Sequence, residues 1–562
     1  MDLIVVLTGV LPGILIAAAI LTAPIAFLLI GLYRSSVIRL MSKRAQPAPG
    51  NSAIPDETES PSFPVGPKFA PFDEKSAAKG TETITLFRHL RIRRWQTAAV
   101  YALGGLGFAI LLTVAINLAW QLGFPPLNFI YFTLIYFWPA ALVINLVASS
   151  EWRTGILIFA AYFFLWLVVS AVVINLSSSL TWGQTIRAWA NSALLPTILV
   201  LMFLYRRIRA VGPMALIFLS FSFSGFHLFY MLGESILRAS TQGNISTPIF
   251  IYKLLEVELV QYGVLALLIA ISIFFMATLG WLTLQLLKWL YLHRLLSDHS
   301  FILDPIWLLF GLSTSIDLAF ENPWWILTGL VAFGFYKILI WAGFAFSNGK
   351  RKKMKGTDLL LLRVFSLGKR SEQLYSAIAQ SWRYVGNIHF ITGPDLATST
   401  VEPHRFLDYI SRRLQHHFID SAEALERRIQ NADIFPGPDG RYRILDFFCY
   451  DDTWKMVLSR LAKDTDVILM DLRKFSRTNA GCVFEINELV HHVPLQRVVF
   501  VIDRTTDEVF LRESIENAWK RLFVDSPNRE KDTKVHLLHY DETRPGAFRQ
   551  LLYALSVAAT SS

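Results

Sequence analysis

The sequence predicts an α-helical transmembrane bundle of about nine spans, followed by a cytoplasmic α/β domain with a mostly parallel, doubly wound sheet. Three observations carry this. Hydrophobic residues make up 53% of the 562, with 42 Phe and 16 Trp, and the mean hydropathy is +0.43, a composition suited to lipid contact. Apolar stretches of about 20 residues, the length that crosses a hydrocarbon core, recur as far as Phe346. After Thr357 the rhythm changes to short apolar runs alternating with amphipathic stretches, the pattern of successive βα units.

The first apolar run, Leu3–Tyr33, has no basic residue before it and is followed by Arg34, Arg39, Lys43 and Arg44. Residues 1–33 are therefore expected to be a signal-anchor helix with its N-terminus outside. Residues 34–95 are expected to be a disordered cytoplasmic linker, because 45–86 is rich in Pro, Ser, Thr and Glu and poor in apolar residues. Arg88, Arg91, Arg93 and Arg94 mark the inner edge of the second helix. Within 96–349 the expected spans are Thr97–Trp120, Asn128–Val147, Gly155–Leu176, Trp189–Tyr205, Gly212–Leu232, Leu259–Leu287, Phe301–Phe320 and Pro323–Phe346.

Charge supports that count. Arg153, the Arg206/Arg207/Arg209 cluster, Lys288 with Arg294, and the basic run Lys350–Lys355 fall on one side, whereas Gln121–Leu127 and Ser177–Ala188 carry only Arg187. This places the C-terminal half on the cytoplasmic face of the inner (plasma) membrane. The net charge is +10, yet from Gly356 onward 27 Lys and Arg meet 28 Asp and Glu. The excess is a topology signal and gives no nucleic-acid footprint. The partner expected for this half is the lipid bilayer.

Three ionisable residues lie inside the spans: Asp304, Asp317 and Lys337. They suggest either a pathway or a structural pair between neighbouring helices. Lys337 is nine residues, about 13 Å at 1.5 Å per residue, from the cytoplasmic end of its span, and Asp304 enters from the same side, so Asp304 is the expected partner. Ser220, Ser222, Ser224 and Gly225, ahead of His227, read as a small-residue packing face. Paired broken helices, the mark of an inverted-repeat transporter, are not evident.

In residues 350–562 the expected strands are Leu359–Phe365, Asn387–Thr392, Tyr442–Phe448, Asp466–Leu472, Arg497–Ile502 and Val535–His539. The expected helices are Ser371–Val385, Pro403–Phe418, Thr453–Lys463, Ala480–His491, Asp507–Leu522 and Ala547–Ala558, with Asp420–Asp439 as an insertion on one edge. LGKRS at 367–371 lacks the upstream glycine of a phosphate loop. Gly393-Pro394-Asp395 reads as an ordinary connecting turn. His416/His417 and His491/His492 are sequence neighbours, which diverge by about 100° around a helix, so no metal site is expected. Cys449 and Cys482, the only two cysteines, make no disulfide framework and fit a reducing compartment. Asp451 and Asp452 sit at a strand-to-helix junction, with Asp452 the expected cap of the helix at Thr453. Glu485 stands beside Cys482, Ile486 and Leu489 on the helix after an apolar strand, the geometry at which doubly wound domains keep ligands. Its plainer reading is an exposed or ion-paired glutamate.

The pieces TWKMVLSRLAKD, DVILMD, FSRTNAG and Cys482-Val-Phe-Glu485, with a looser echo in LLLLRVF and SEQLYSAIAQSW, resemble a Toll/interleukin-1 receptor (TIR) domain over about residues 446–503. The chain as a whole resembles bacterial multi-spanning membrane proteins that end in such a domain. The resemblance implies a membrane signalling or interaction protein that recruits a partner or self-associates through its cytoplasmic domain. In enzymatic members the glutamate supports cleavage of the nicotinamide–ribose bond of NAD. Carried over, that role falls on Glu485, with Phe475 and Ser476 beside the nucleotide and NAD as substrate. A transporter or channel with a regulatory domain is the third reading.

Overall fold

The computed structural model describes residues 2–42, 67–71, 81–148, 152–176, 181–204, 208, 210–241, 258–319, 321–348, 355–363, 369–392, 403–529, 533–544 and 546–560, and these fall into a helical unit and an α/β unit. The basic run Lys350–Arg351–Lys352–Lys353, the Arg206/Arg207/Arg209 cluster and the Gly393-Pro394-Asp395 turn lie outside the described residues.

The long helices are α1 (Asp2–Ser42), α2 (Thr81–Ala119), α3 (Pro126–Ala148), α4 (Trp152–Leu176), α5 (Trp182–Leu204), α6 (Gly212–Thr241), α7 (Glu258–Leu292), α8 (Asp298–Ala319) and α9 (Thr328–Asn348). A 3-10 turn, Pro323–Leu327, leads into α9, and the Asn322 side chain caps it by accepting from the Trp324 N–H. Among the described residues, seven stretches are long and apolar enough to cross a membrane: Ile16–Met41, Arg88–Ala119, Pro126–Ile144, Thr154–Leu176, Ala266–Leu292, Asp298–Ala319 and Pro323–Ser347. α5 and α6 stand where two further spans were expected. Several boundaries differ from expectation: α5 starts at Trp182 and α6 runs to Thr241. α1 continues past Arg34 and Arg39 to Ser42 and α2 starts at Thr81, because Arg is a good helix former and extends a helix out of its apolar segment.

Close backbone approaches hold the helical unit together. A Cβ on Gly329 would sit 2.3 Å from the Gly311 carbonyl, so α8 and α9 touch through two glycines, and the Gly329 N–H donates to Ser315 Oγ at 2.6 Å. A Cβ on Gly225 would lie 2.6 Å from the Ile273 backbone, so the expected small-residue face of α6 packs on α7; the side chain of His227 lies outside the described residues. Trp307, fully buried, has Phe108 at 4.8 Å and Tyr336 at 5.1 Å between ring centroids. Lys337 Nζ donates to Asp304 Oδ2 at 2.7 Å, while Asp317 is exposed on α8.

The α/β unit contains β1 (Lys68–Pro71), β2 (Leu359–Arg363), α10 (Lys369–Trp382), β3 (Ile388–Thr392), β4 (Phe418–Ile419), α12 (Ala422–Gln430), β5 (Ile444–Cys449), α13 (Trp454–Asp464), β6 (Val467–Asp471), α14 (Ala480–His492), β7 (Val498–Ile502), α15 (Glu508–Lys520), β8 (Lys534–His539) and α16 (Ala547–Thr560); in the chain, α11 (Pro403–Ile410) falls between β3 and β4. All eight strands are parallel, in the order β1-β8-β7-β6-β2-β3-β5-β4. Alternation along each strand separates two cores. Leu360, Leu362, Ile468, Met470, Val498 and Phe500 pack under α13, α14 and α15, while Leu359, Leu361, Val467, Leu469, Val499 and Val501 pack under α10 and α16. Helices cover both faces, as the apolar runs require.

Two strands correct the expectations. β1 lies inside the segment expected to be a disordered linker and pairs with β8, Lys68 against Lys534. Backbone hydrogen bonding to a ready-made edge, rather than an apolar run of its own, holds it there. The helix expected over Pro403–Phe418 ends at Ile410; Arg412 adopts φ 59°, a 3-10 turn follows, and Phe418–Ile419 becomes the edge strand β4. The next helix, α12, follows that edge, as expected for the insertion.

The Asp304–Lys337 pair gives a direct test. Lys337→Met and Asp304→Asn should each lower the thermal stability of the detergent-solubilised protein, because Lys337→Met strands the buried Asp304 and Asp304→Asn takes the counter-charge from a part-buried Lys337. The double variant should recover part of the loss, with a coupling of about 1–3 kcal/mol. Simple additivity would show that the two side chains do not interact.

Candidate functional site

The sheet reverses its winding between β2 and β6. β2 leads through α10 on one face to β3, and β6 leads through α14 on the other face to β7. A crevice therefore opens outside the carboxyl ends of these strands. There a cavity of about 280 Å³ is lined by Met41 at the end of α1, Leu361, Leu362 and Arg363 ending β2, Ile391 and Thr392 ending β3, Cys449, Tyr450 and Asp451 at the end of β5, Trp454 opening α13, and Glu485 on α14.

Glu485 is 4% exposed, and its Oε2 has no hydrogen-bond partner. Its place on the buried stripe of α14 with Cys482, Ile486 and Leu489 carries it inward, so the plainer reading of an exposed glutamate does not hold. Burial pushes its carboxyl up to about 8, with the Arg363 charge pulling weakly the other way. The group is therefore largely neutral at pH 7. Thr392, 3% exposed, also has an unpartnered Oγ1 on the cavity. Nothing in the sequence marked Thr392; a threonine ending a strand is commonplace. The Arg363 guanidinium lies 5.8 Å from the Tyr375 ring centroid, toward α10. Burial pushes the Cys449 thiol up to about 12 and the Cys482 thiol higher still, so neither is a thiolate nucleophile.

The other expected site residues lie elsewhere. Phe475 is fully buried and stacks on Phe510 of α15 at 5.4 Å, and its carbonyl accepts from the Asp507 N–H at 2.9 Å. Ser476 is half-buried; its Oγ bonds Thr478 Oγ1 at 2.9 Å and its N–H donates to Asn479 Oδ1 at 3.0 Å. Neither lines the cavity. Asp304, Asp317 and Lys337 belong to the helical unit. The expected cap also moves. Thr453, not Asp452, is the N-cap residue of α13, and its Oγ1 accepts from the Tyr450 N–H at 3.1 Å and donates to the Ile419 carbonyl at 2.9 Å. That turn sets Asp451 at the cavity mouth.

A second polar group at the same strand ends is closed on itself. Asp471 and Arg473 are fully buried, with Nε to Oδ1 at 2.8 Å and Nη2 to Oδ2 at 2.7 Å. Arg473 also bonds Glu542 and, at 3.3 Å, the Arg370 carbonyl. Arg370 in turn bonds Asp503 Oδ2 at 2.8 Å. These charges hold the edge together and are already matched. Among the described residues, no group of three or more His, Cys, Asp or Glu is placed to hold a metal ion. No family model, curated protein or solved structure matches the chain.

The neutral Glu485 has a sign that can be checked. Between about 4.5 and about 8 the folded state keeps the proton that the unfolded state gives up. Glu485 therefore costs stability progressively as pH rises through that window, and no further above it. Glu485→Gln removes the titration while keeping shape. Its melting temperature relative to wild type should rise from pH 5 to pH 8 and then level off. A pH-independent difference would place the carboxyl in water.

Proposed function

We propose that this is a multi-pass membrane signalling or interaction protein whose α/β domain binds a small molecule at its strand-end cavity. The observation that carries this is a buried carboxyl and a buried hydroxyl, Glu485 Oε2 and Thr392 Oγ1, left unpartnered on one cavity at the winding reversal. Buried polar atoms without partners are rare and costly, and open α/β sheets bind ligands at this place. The TIR-like pattern of residues 446–503 agrees with a module that reports a ligand to a partner or a second copy. The apolar helices and the one-sided basic loops support nine spans, the N-terminus outside and the α/β domain at the cytoplasmic face of the inner membrane.

Cleavage of NAD through Glu485 is the second reading, favoured by the place of that carboxyl on the cavity wall. It has less support than binding. A carboxyl held near 8 does not supply the negative charge that an oxocarbenium-like transition state needs. Phe475 and Ser476, the two residues expected beside the nucleotide, pack away from the cavity. For transport, the intramembrane charges carry little, since Lys337 is paired with Asp304 Oδ2 at 2.7 Å.

The tests use the full-length protein in detergent. A small-molecule extract of the source cells should raise the melting temperature of wild type, and Ile391→Trp, which fills the cavity from a half-buried wall position, should abolish the shift. Equal shifts in both proteins would put the ligand elsewhere. Incubation with NAD should release no nicotinamide; release that disappears in Glu485→Gln would establish the enzyme instead. On intact cells, a cysteine introduced at Ser178 should react with an impermeant reagent and one at Lys353 should not. Labelling at 353 would overturn the topology.

A further inference from the structure

We propose that the cavity takes a neutral polyhydroxylated molecule, a sugar or cyclic polyol, whose hydroxyls meet Glu485 Oε2 and Thr392 Oγ1 while a C–H face lies on Trp454. This rests on the cavity being a ligand site and names the class of ligand.

The chemistry of the lining selects among classes. The two unpartnered atoms are a carboxyl oxygen and a hydroxyl, both more than nine-tenths buried. Each pairs well with an alcohol, which donates and accepts at one oxygen. Leu361, Leu362 and Ile391 form apolar wall, and Trp454, half-buried and edge-on to Phe484 at 5.5 Å, is held with its indole as a fixed surface. Alternating hydroxyl and C–H faces are what a sugar ring presents to such a lining.

A phosphorylated ligand fits worse. Asp451 stands at the mouth, the Arg363 guanidinium lies toward Tyr375 on the α10 side, and the matched Arg473 is consumed by Asp471 and Glu542. An organic cation fits worse too, because it would have to draw the proton off a carboxyl that burial holds neutral. The volume, about 280 Å³, stands at the low end for small-molecule sites and suits one ring rather than an enclosed dinucleotide.

The groups that bear on Glu485 are Arg363 on β2, Cys449 on β5, Tyr450 and Asp451 after it, and Cys482 on α14. Burial keeps the carboxyl protonated up to about 8. Affinity for a neutral polyol should hold from pH 6 to 7.5 and fall above pH 8, as the buried anion forms and loses its donor.

Binding of D-ribose, myo-inositol, D-ribose 5-phosphate and putrescine to the full-length protein in detergent tests the proposal. A neutral polyol should bind. Thr392→Val, which keeps strand shape, should weaken it about tenfold, the worth of one hydrogen bond. Glu485→Leu should remove binding, and Glu485→Gln should retain most of it and erase the fall above pH 8. Binding of the phosphate or the diamine without either neutral polyol would overturn the ligand class and leave the cavity standing as a ligand site. Polyol binding indifferent to Thr392→Val and Glu485→Leu would overturn the location. No binding by any of the four would also overturn the polyol class, and the extract comparison with Ile391→Trp then decides separately whether the cavity binds anything.

Discussion

The carboxyl edge of the sheet depends on one buried ion pair. Asp471 ends the central strand β6 and is wholly removed from water, as is Arg473 two residues later. Neither charge is tolerable there alone, and a bidentate pair with further bonds from Nη1 and Nη2 to Glu542 and the Arg370 carbonyl is the geometry that makes both acceptable. Arg473 reaches the start of α10 through the Arg370 carbonyl and the segment after β8 through Glu542, so one guanidinium ties three parts of the edge. The turn that delivers it puts Lys474 at φ 61°, with its N–H on Thr505 Oγ1. A non-glycine residue in that region is strained by about 1–2 kcal/mol, which the surrounding bonds offset.

That pair also decides which polar groups remain available. With Asp471, Arg473, Arg370, Asp503 and Glu542 satisfying one another, the unmatched atoms on the neighbouring cavity are those of Glu485 and Thr392. The same economy holds in the helical unit, where Lys337 and Asp304 meet in one strong bond. The contrast in the α/β unit is Glu485, whose Oε2 has no partner and whose carboxyl burial pushes upward.

Most of the α/β unit was legible because β2, β6 and β7 are buried throughout and almost wholly apolar; these and β3, β5 and β8 each begin and end within about two residues of their expected bounds. β4 and β1 were not, since a two-residue edge strand and the segment KFAP carry no apolar signature and owe their form to a neighbour far away in the chain. At the site, Glu485 was legible as the acidic member of an otherwise apolar helical stripe. Phe475 was misplaced for a reason that recurs in any sequence: an aromatic that packs on a neighbouring helix looks the same as one that faces a ligand. Thr392 and Asp451 acquire meaning only when β2, β3 and β5 are brought side by side.

The pairing of β1 with β8 has a consequence for how the protein is made. Lys68 meets Lys534, 466 positions later, and at roughly 5–20 residues per second the ribosome takes about 20–90 seconds to supply the second strand after the first. Through that interval eight of the nine long helices among the described residues emerge while β1 has no edge to join. The sheet can be sealed only after translation is nearly complete, and its last strand to find a place is the first one synthesised. A C-terminal half cut away at residue 356 would keep seven strands and expose the bare flank of β8, an open invitation to pair with another copy. Four residues lying between the first two long helices thus complete the sheet whose other strands all follow Gly356.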